Sequence, residues 1–338
     1  MSSISVSRRG FVQATAVGSL GLWTVGIKAF GAEMVPFRVG LSAAANTVLA
    51  IWMADDAGFY KAQGLDISLQ KMAGGGQSGP ELKSGHIQAM HIGLSSIVRA
   101  NGAGADLRVV GSLSNVVRFS LFTKPEVRTA AELRGGVVGI STFGSESDVT
   151  LAIALKKLGL TRGDVTVKEI GVDPKRIAAL QSGEIRATML NEPSRSHAIS
   201  MGFNPIVDLL ADHIPWVFTG IAVDHAYLRS HREVLIRFLK ATIEGNYLAL
   251  SNAARSKALL AKQLNIADPK VVEISYKDFV DQSPPDLAVS RAGARNIIAA
   301  VAKPGASHKL GDYIDNSLIA EIRHSGFLRQ MQRKYRRA

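Results

Sequence analysis

Apolar residues along this chain recur with two periods, and the switches between them mark out elements. Runs that alternate every second residue predict strands: RVGLSAA (Arg38 to Ala44), DISLQKM (Asp66 to Met72) and AMHIGLSS (Ala89 to Ser96). Between the first two, TVLAIWMADDAGFYKAQG (Thr47 to Gly64) is apolar at helical spacing and closes on glycine. AGGGQSGPE reads as a loop in which Pro80 opens the next helix, and Ser95 and Ser96 offer N-caps to the short helix IVRANGAG. LRVVGSLS and FSLFTK are expected to complete the strands of the first half. TAAELRG then carries a capping box, Thr129 with Glu132. The second half alternates in the same way. Strand GVVGIS leads to a helix from Asp148 to Leu158, and strand VTVKEI to a helix from Pro174 to Gln181. Strand IRATML, the turn NEP and the segment NPIVDLL follow. WVFTGIAVD is expected to be a strand that crosses back. From Tyr227 onward the spacing is helical, with Ser230 to Asn252 the longest run.

The repetition extends to the letters. LKSGHIQA (Leu82 to Ala89) returns as LQSGEIRA (Leu180 to Ala187), five of eight residues in register. Upstream, YKAQGLDISLQKMAGG (Tyr60 to Gly75) has its counterpart in LKKLGLTRGDVTVKEIG (Leu155 to Gly171). In each block a glycine stands where a helix must stop in the left-handed region: Gly64 and Gly85 in one, Gly159 and Gly183 in the other. Two such blocks predict an α/β fold of two similar lobes joined by a hinge of two crossovers, near Lys124 and Pro215. On that reading residues 34–124 with 216–338 form one lobe and 125–215 the other.

Composition narrows the function. The chain has 338 residues, 46% hydrophobic and 20% charged, enough for two domains with a substantial core. It contains no cysteine, which excludes disulfides, thiolate metal sites, cysteine nucleophiles and a lipidated N-terminal cysteine. At the N-terminus, SRRGFVQ (Ser7 to Gln13) precedes a mildly apolar stretch, Ala14 to Ile27, then Lys28 and small residues. This resembles a twin-arginine signal peptide covering residues 1–32; an uncleaved anchor or a basic arm is the alternative. Without Arg8, Arg9 and Lys28 the chain keeps 37 basic against 28 acidic residues, near +9, a balance that favours anionic partners. The basic residues are scattered, so no nucleic acid is expected. The dense tail RQMQRKYRRA (Arg329 to Ala338) reads as a solvated, fraying terminus.

FYKAQGLDISL, ELKSGHIQAMHIG, GADLRVVGS, TAAELRGGVVGIS, ALKKLGL and RIAALQSGEIRATM, taken in order, resemble the periplasmic substrate-binding proteins of ABC transporters of the nitrate, sulfonate and taurine type. The likeness runs from about Arg38 to Pro193. Arg186 departs from the Asp that relatives often carry there. The resemblance implies a type II periplasmic-binding-protein fold, an exported monomer that acts with a membrane permease, no cofactor, and a solute held between the lobes. In open α/β sheets the ligand lies beyond the carboxyl ends of the strands, against helix N-termini suited to anions. The strand-end loops therefore supply the candidates: Ser42, Asn46, Gln77, Ser95, Ser96, Asn115, Arg118, Thr142, Gly144, Ser145 and Asn191, with Trp216 at the return crossover. Arg118 is the cation among them, placed to grip a sulfonate or carboxylate with two parallel hydrogen bonds. Trp216 lines the cleft or packs in the core; the sequence leaves both open.

Other features read blandly. Gly74 to Gly76 lack the Gly-Lys-Ser/Thr of a phosphate loop, His86 and His91 bracket a strand without metal-pair spacing, and no G-x-S-x-G elbow is present. Trp52 belongs on a core helix face. The leading expectation is a periplasmic receptor for a small anionic solute that catalyses nothing. The alternatives are a receptor for a neutral or aromatic solute, such as a thiamine pyrimidine precursor or riboflavin, and an enzyme of the thiamine-pyrimidine synthase type.

Overall fold

The computed structural model describes residues 34–72 and 78–335. The signal-like segment, Gln77 and the last three residues of the basic tail lie outside them.

Among the described residues, ten strands form two five-stranded sheets. They are β1 (Val35–Leu41), β2 (Leu65–Lys71), β3 (Ala89–Ile92), β4 (Leu107–Val116), β5 (Ser120–Thr123), β6 (Val137–Ile140), β7 (Thr166–Glu169), β8 (Ala187–Leu190), β9 (Asn204–Asp208) and β10 (Pro215–Asp224). The first sheet runs β2-β1-β3-β10-β4 and the second β7-β6-β8-β5-β9. In each, the first three strands are parallel and the fourth is antiparallel to both neighbours. The two lobes thus share one plan, and the repeated phrases fall at equivalent places, leading into β3 and into β8. The four glycines behave as the repeat requires, with φ of 70° and 73° at Gly64 and Gly85 and 68° and 83° at Gly159 and Gly183.

One strand changes sides. FSLFTK is expected in the first lobe, but β5 pairs with β8 and β9 inside the second sheet. The outward crossover therefore lies between Val116 and Ser120 rather than near Lys124, and the return lies between Asp208 and Pro215. The two crossing segments hold each other. Pro215 pairs with Val116, the Val117 N–H donates to the Ile214 carbonyl (3.1 Å), and the Leu209 N–H donates to that of Phe119 (3.1 Å). Phe119 and Phe218 meet edge-on there, ring centres 5.0 Å apart.

The first lobe's larger core lies between its sheet and the C-terminal helices. Helix Arg232–Ser251 lays Leu235, Phe238 and Leu239 against Phe37, Val39 and Tyr60, and Trp52 is buried in the same core. A second apolar cluster is continuous through the hinge, from Leu94 and Ile97 through Val117, Phe119 and Trp216 to Leu151 and Leu155. The basic tail does not fray along its described length. Phe327–Lys334 is a helix with Leu328 and Met331 buried, and Lys334 reaches Glu244 at 2.6 Å. Its apolar residues at i and i+3 anchor it, a spacing the charged letters between them obscure. Among the described residues no helix is long and apolar enough to cross a membrane.

Candidate functional site

Two buried polar clusters occupy the boundary between the lobes. The first is built around Arg118, on the outward crossover just past β4. Its side chain is buried, although a guanidinium is among the costliest groups to desolvate. Nη2 donates to Asp278 Oδ2 on helix Pro269–Gln282. The same carboxylate oxygen accepts from Asn46 Nδ2 at 2.8 Å, and Nδ2 also reaches the Ser275 carbonyl at 2.8 Å. Next to Asn46, the Thr47 hydroxyl lies 3.1 Å from His91 Nε2, at the end of β3. Burial pulls the Arg118 pKa down to about 9, against the pull of Glu192 and Asp281, so the group is cationic at neutral pH. Burial also lowers His91 to about 4, leaving its ring neutral.

This cluster leaves hydrogen-bonding groups unspent. Arg118 Nε and Nη1, Asn46 Oδ1 and Ser275 Oγ are buried and have no partner among the described residues. Ser114 and Thr219, opposite one another in the β4–β10 pairing, likewise have free hydroxyls. Buried polar atoms are nearly always paired, and each exception costs about 1–3 kcal/mol. Four of them belong to the one cluster around Arg118.

The second cluster centres on Glu146, the first residue of helix Glu146–Lys157 in the second lobe. Its Oε1 accepts from the Ser95 N–H (2.9 Å) and its Oε2 from Trp216 Nε1 (2.6 Å). Here both donors and both acceptor oxygens are used, and the buried Ser95 hydroxyl alone has no partner among the described residues. Burial pushes the carboxyl up to about 7, although the hydrogen bonds from Trp216 and Ser95 oppose the rise.

The sequence-predicted residues divide accordingly. Asn46 and Arg118 meet in the first cluster; Ser95 and Trp216 meet in the second, where Trp216 is both packed and hydrogen-bonded. Ser96 sits beside Ser95 in the first turn and is half-buried, but neither serine is the N-cap: Gly93 is. Ser145 does cap its helix, contacting Asp148 N and the hydroxyls of Ser141 and Ser147. Gly144 donates its N–H to Asp148 Oδ2 (2.7 Å) at φ 75°, and the Thr142 carbonyl closes the same turn. Asn115 spends both ends of its amide on the backbone of Ala288 and Ser290. Ser42 donates its N–H to the His91 carbonyl, and the Asn191 carbonyl accepts from Arg195 N. Sequence pattern does not single out Ser275, Asp278 or Glu146. The first two stand more than 200 residues from Asn46 and one helical turn apart, on the face of a helix whose apolar spacing announces only a core contact.

A family model described as NMT1/THI5 like matches residues 46–255. The riboflavin-binding protein RibY of Chloroflexus aurantiacus is 29% identical over 163 residues, which cover 47% of this chain. That match spans about half of the relative's own length, 45%. A solved structure from Bordetella bronchiseptica superposes with a TM-score of 0.75 at 19% identity, over 90% of this chain and 98% of that one. The alkanesulfonate-binding protein SsuA of Xanthomonas axonopodis pv. citri, solved bound to MOPS, superposes at 0.69 with 20% identity, over 84% of this chain and all of its own. These superpositions show that the fold is shared over most of each chain. With the family model covering well over half of its length, this chain belongs to the NMT1/THI5-like family.

Proposed function

We propose that this chain is an exported solute receptor, which captures a small organic molecule between its lobes and passes it to an ABC-transporter permease without changing it. The observation that carries this reading is the unspent cluster around Arg118: one cation, an amide oxygen and hydroxyls, all buried where the lobes meet. Groups of that kind hold a ligand by hydrogen bonds, and none is paired with a base that would make it a nucleophile. The family membership and the names of the relatives, a riboflavin-binding and an alkanesulfonate-binding protein, support the same role.

The charge balance favours a neutral acceptor. Asp278 already compensates Arg118, and Glu192 and Asp281 add negative potential. A carbonyl-bearing heterocycle can accept from Nε and Nη1 without adding another charge, whereas a sulfonate makes the neighbourhood more negative. The anionic reading keeps one support, a cation with two nitrogens still unspent. A thermal-shift panel of flavins, aminopyrimidines, alkanesulfonates, taurine and nitrate separates the two. A solute at a hundred times its dissociation constant adds about 2.7 kcal/mol to stability. Stabilisation by no member of the panel would count against the receptor reading. Export is tested by N-terminal sequencing, with a start near Glu33 expected, and by lysine substitution of Arg8 and Arg9 together, which should block it.

A further inference from the structure

Glu146 has an unusual address for a residue at a helix start. An acidic side chain in the first turn ordinarily stays in water beside its own helix's positive end. This one leaves its lobe. It is buried against the first lobe, where Oε1 meets the backbone N–H of Ser95 and Oε2 meets the indole N–H of Trp216. Ser95 N–H is one of the donors that the helix Leu94–Gly102 cannot satisfy internally. The fit needs bare backbone beneath it: a Cβ on Gly93 would stand 2.2 Å from Oε1 and 2.3 Å from Cγ. The neighbouring turn is shaped in the same way, since a Cβ on Gly144 would stand 1.8 Å from Arg99 Nη1. Two glycines, one on each lobe, thus clear the space for a contact between lobes.

We propose that Glu146 is a tethered ligand: the second lobe's own carboxyl group fills a carboxylate-binding pocket on the first lobe, made by Gly93, the Ser95 N–H and Trp216 Nε1, and so closes the lobes without any solute. The pocket is a small carboxyl site of the class that takes formic or acetic acid, already occupied by a side chain. It is separate from the Arg118 cluster, so the inference holds whatever solute binds there.

The surroundings fit this role. From helix Leu94–Gly102 the carboxyl faces the Ser95 hydroxyl, and Arg99 of that helix lies against Gly144; from β10 it faces Trp216; on its own helix Asp148 is engaged by Arg162 at 2.5 Å. No charged side chain contributes to the shift of its pKa, so the indole and the Ser95 groups alone offset its desolvation. The protonated form can give its O–H to the Ser95 hydroxyl.

The test is chemical complementation without solute. Glu146→Ala should open the lobes, seen as a larger radius of gyration in small-angle scattering and a lower melting temperature. Sodium acetate or formate at tens of millimolar and about pH 5 should then restore much of both, with no such gain in the wild type and none from sodium chloride of equal ionic strength. An alanine variant as compact as the wild type, or one that responds equally to acetate and chloride, overturns the proposal. Should that variant fail to fold, Glu146→Gln decides the matter. The amide preserves the shape but cannot titrate, so closure should lose the pH dependence expected of the wild type between about 4.5 and 7. A glutamine variant that retains the wild-type pH profile removes Glu146 from the closing contact.

Discussion

The Arg118 and Glu146 clusters are both buried, both polar and both at the junction of the lobes, yet the second leaves a single hydroxyl over and the first leaves a set of donors and acceptors. Around Glu146 two donors meet two acceptor oxygens, and the Ser95 hydroxyl alone is left over. Around Arg118 one carboxylate oxygen serves both Nη2 and the Asn46 amide, while two guanidinium nitrogens and several oxygens remain over. A nearly closed count is what a structural contact between lobes needs, since the carboxyl's own oxygens are both matched by the fold itself. An open count leaves hydrogen-bonding capacity for a molecule that comes and goes. Accounting for polar atoms, rather than burial or charge alone, separates the contact that shuts the molecule from the one proposed to hold the solute.

The most severe way to break this contrast is to remove a charge from the open cluster. Arg118→Ala leaves Asp278 buried and uncompensated and should cost about 3–5 kcal/mol in urea unfolding. The double change Arg118→Met, Asp278→Leu should recover most of that stability while abolishing solute binding. A single variant within about 1 kcal/mol of wild type would mean that the pair is solvated in solution.

Next in size is the pH dependence of the closed cluster. A carboxyl held at about 7 in the closed protein and near 4.5 when exposed binds more protons closed than open. Its contribution is therefore fully present below pH 4.5, is lost as the pH rises towards 7, and amounts to about 3 kcal/mol over that window. His91 opposes it. Lowered from 6.5 to about 4, it binds fewer protons in the folded state and so contributes stability that grows as the pH rises. A wild-type scan mixes the two, and the informative quantity is the difference between wild type and Glu146→Gln. A flat difference would show that Glu146 is solvated.

Gly93→Ala sharpens the contrast sterically. Gly93 has φ −75°, so alanine brings no backbone strain, only a methyl group where the carboxyl sits. A loss of about 1–3 kcal/mol is expected, together with lobe opening in scattering. Smallest is Ser275→Ala, which deletes a hydroxyl without a partner among the described residues. Stability should stay within about 1 kcal/mol of wild type, or rise, because no bond within the protein is lost. A clear loss would show that the hydroxyl is already engaged and that the open count is shorter than it looks.

Much of this fold was legible in the letters, because backbone constraints are local. Gly64, Gly85, Gly159 and Gly183 mark turns that only glycine makes cheaply, and the Thr129–Glu132 capping box is present as its spacing predicts. What escaped was decided at a distance. FSLFTK reads as a strand in any context, and all four residues of β5 are buried, so its pattern carries no sign of which sheet takes it. Ser95 and Ser96 have the chemistry of caps, but the tight approach of Glu146 needs the missing side chain of Gly93 at that position. Asn46 and Arg118 were legible as strand-end polar residues. Their partners Ser275 and Asp278 were not, since a helix far along the chain supplies them.

The exchange of fourth strands also sets an order of assembly. All five strands of the second sheet fall between Ser120 and Asp208, an uninterrupted stretch, whereas the first sheet needs β10 from beyond it. A ribosome therefore finishes the later lobe's sheet before the earlier one's: until Asp224 has emerged, β3 and β4 have no strand between them and their edges stay exposed to other chains. The lobe that begins the protein is the last to be completed. Nascent chains halted near residue 208 should protect β6 and β8 from hydrogen exchange while β3 and β4 still exchange freely.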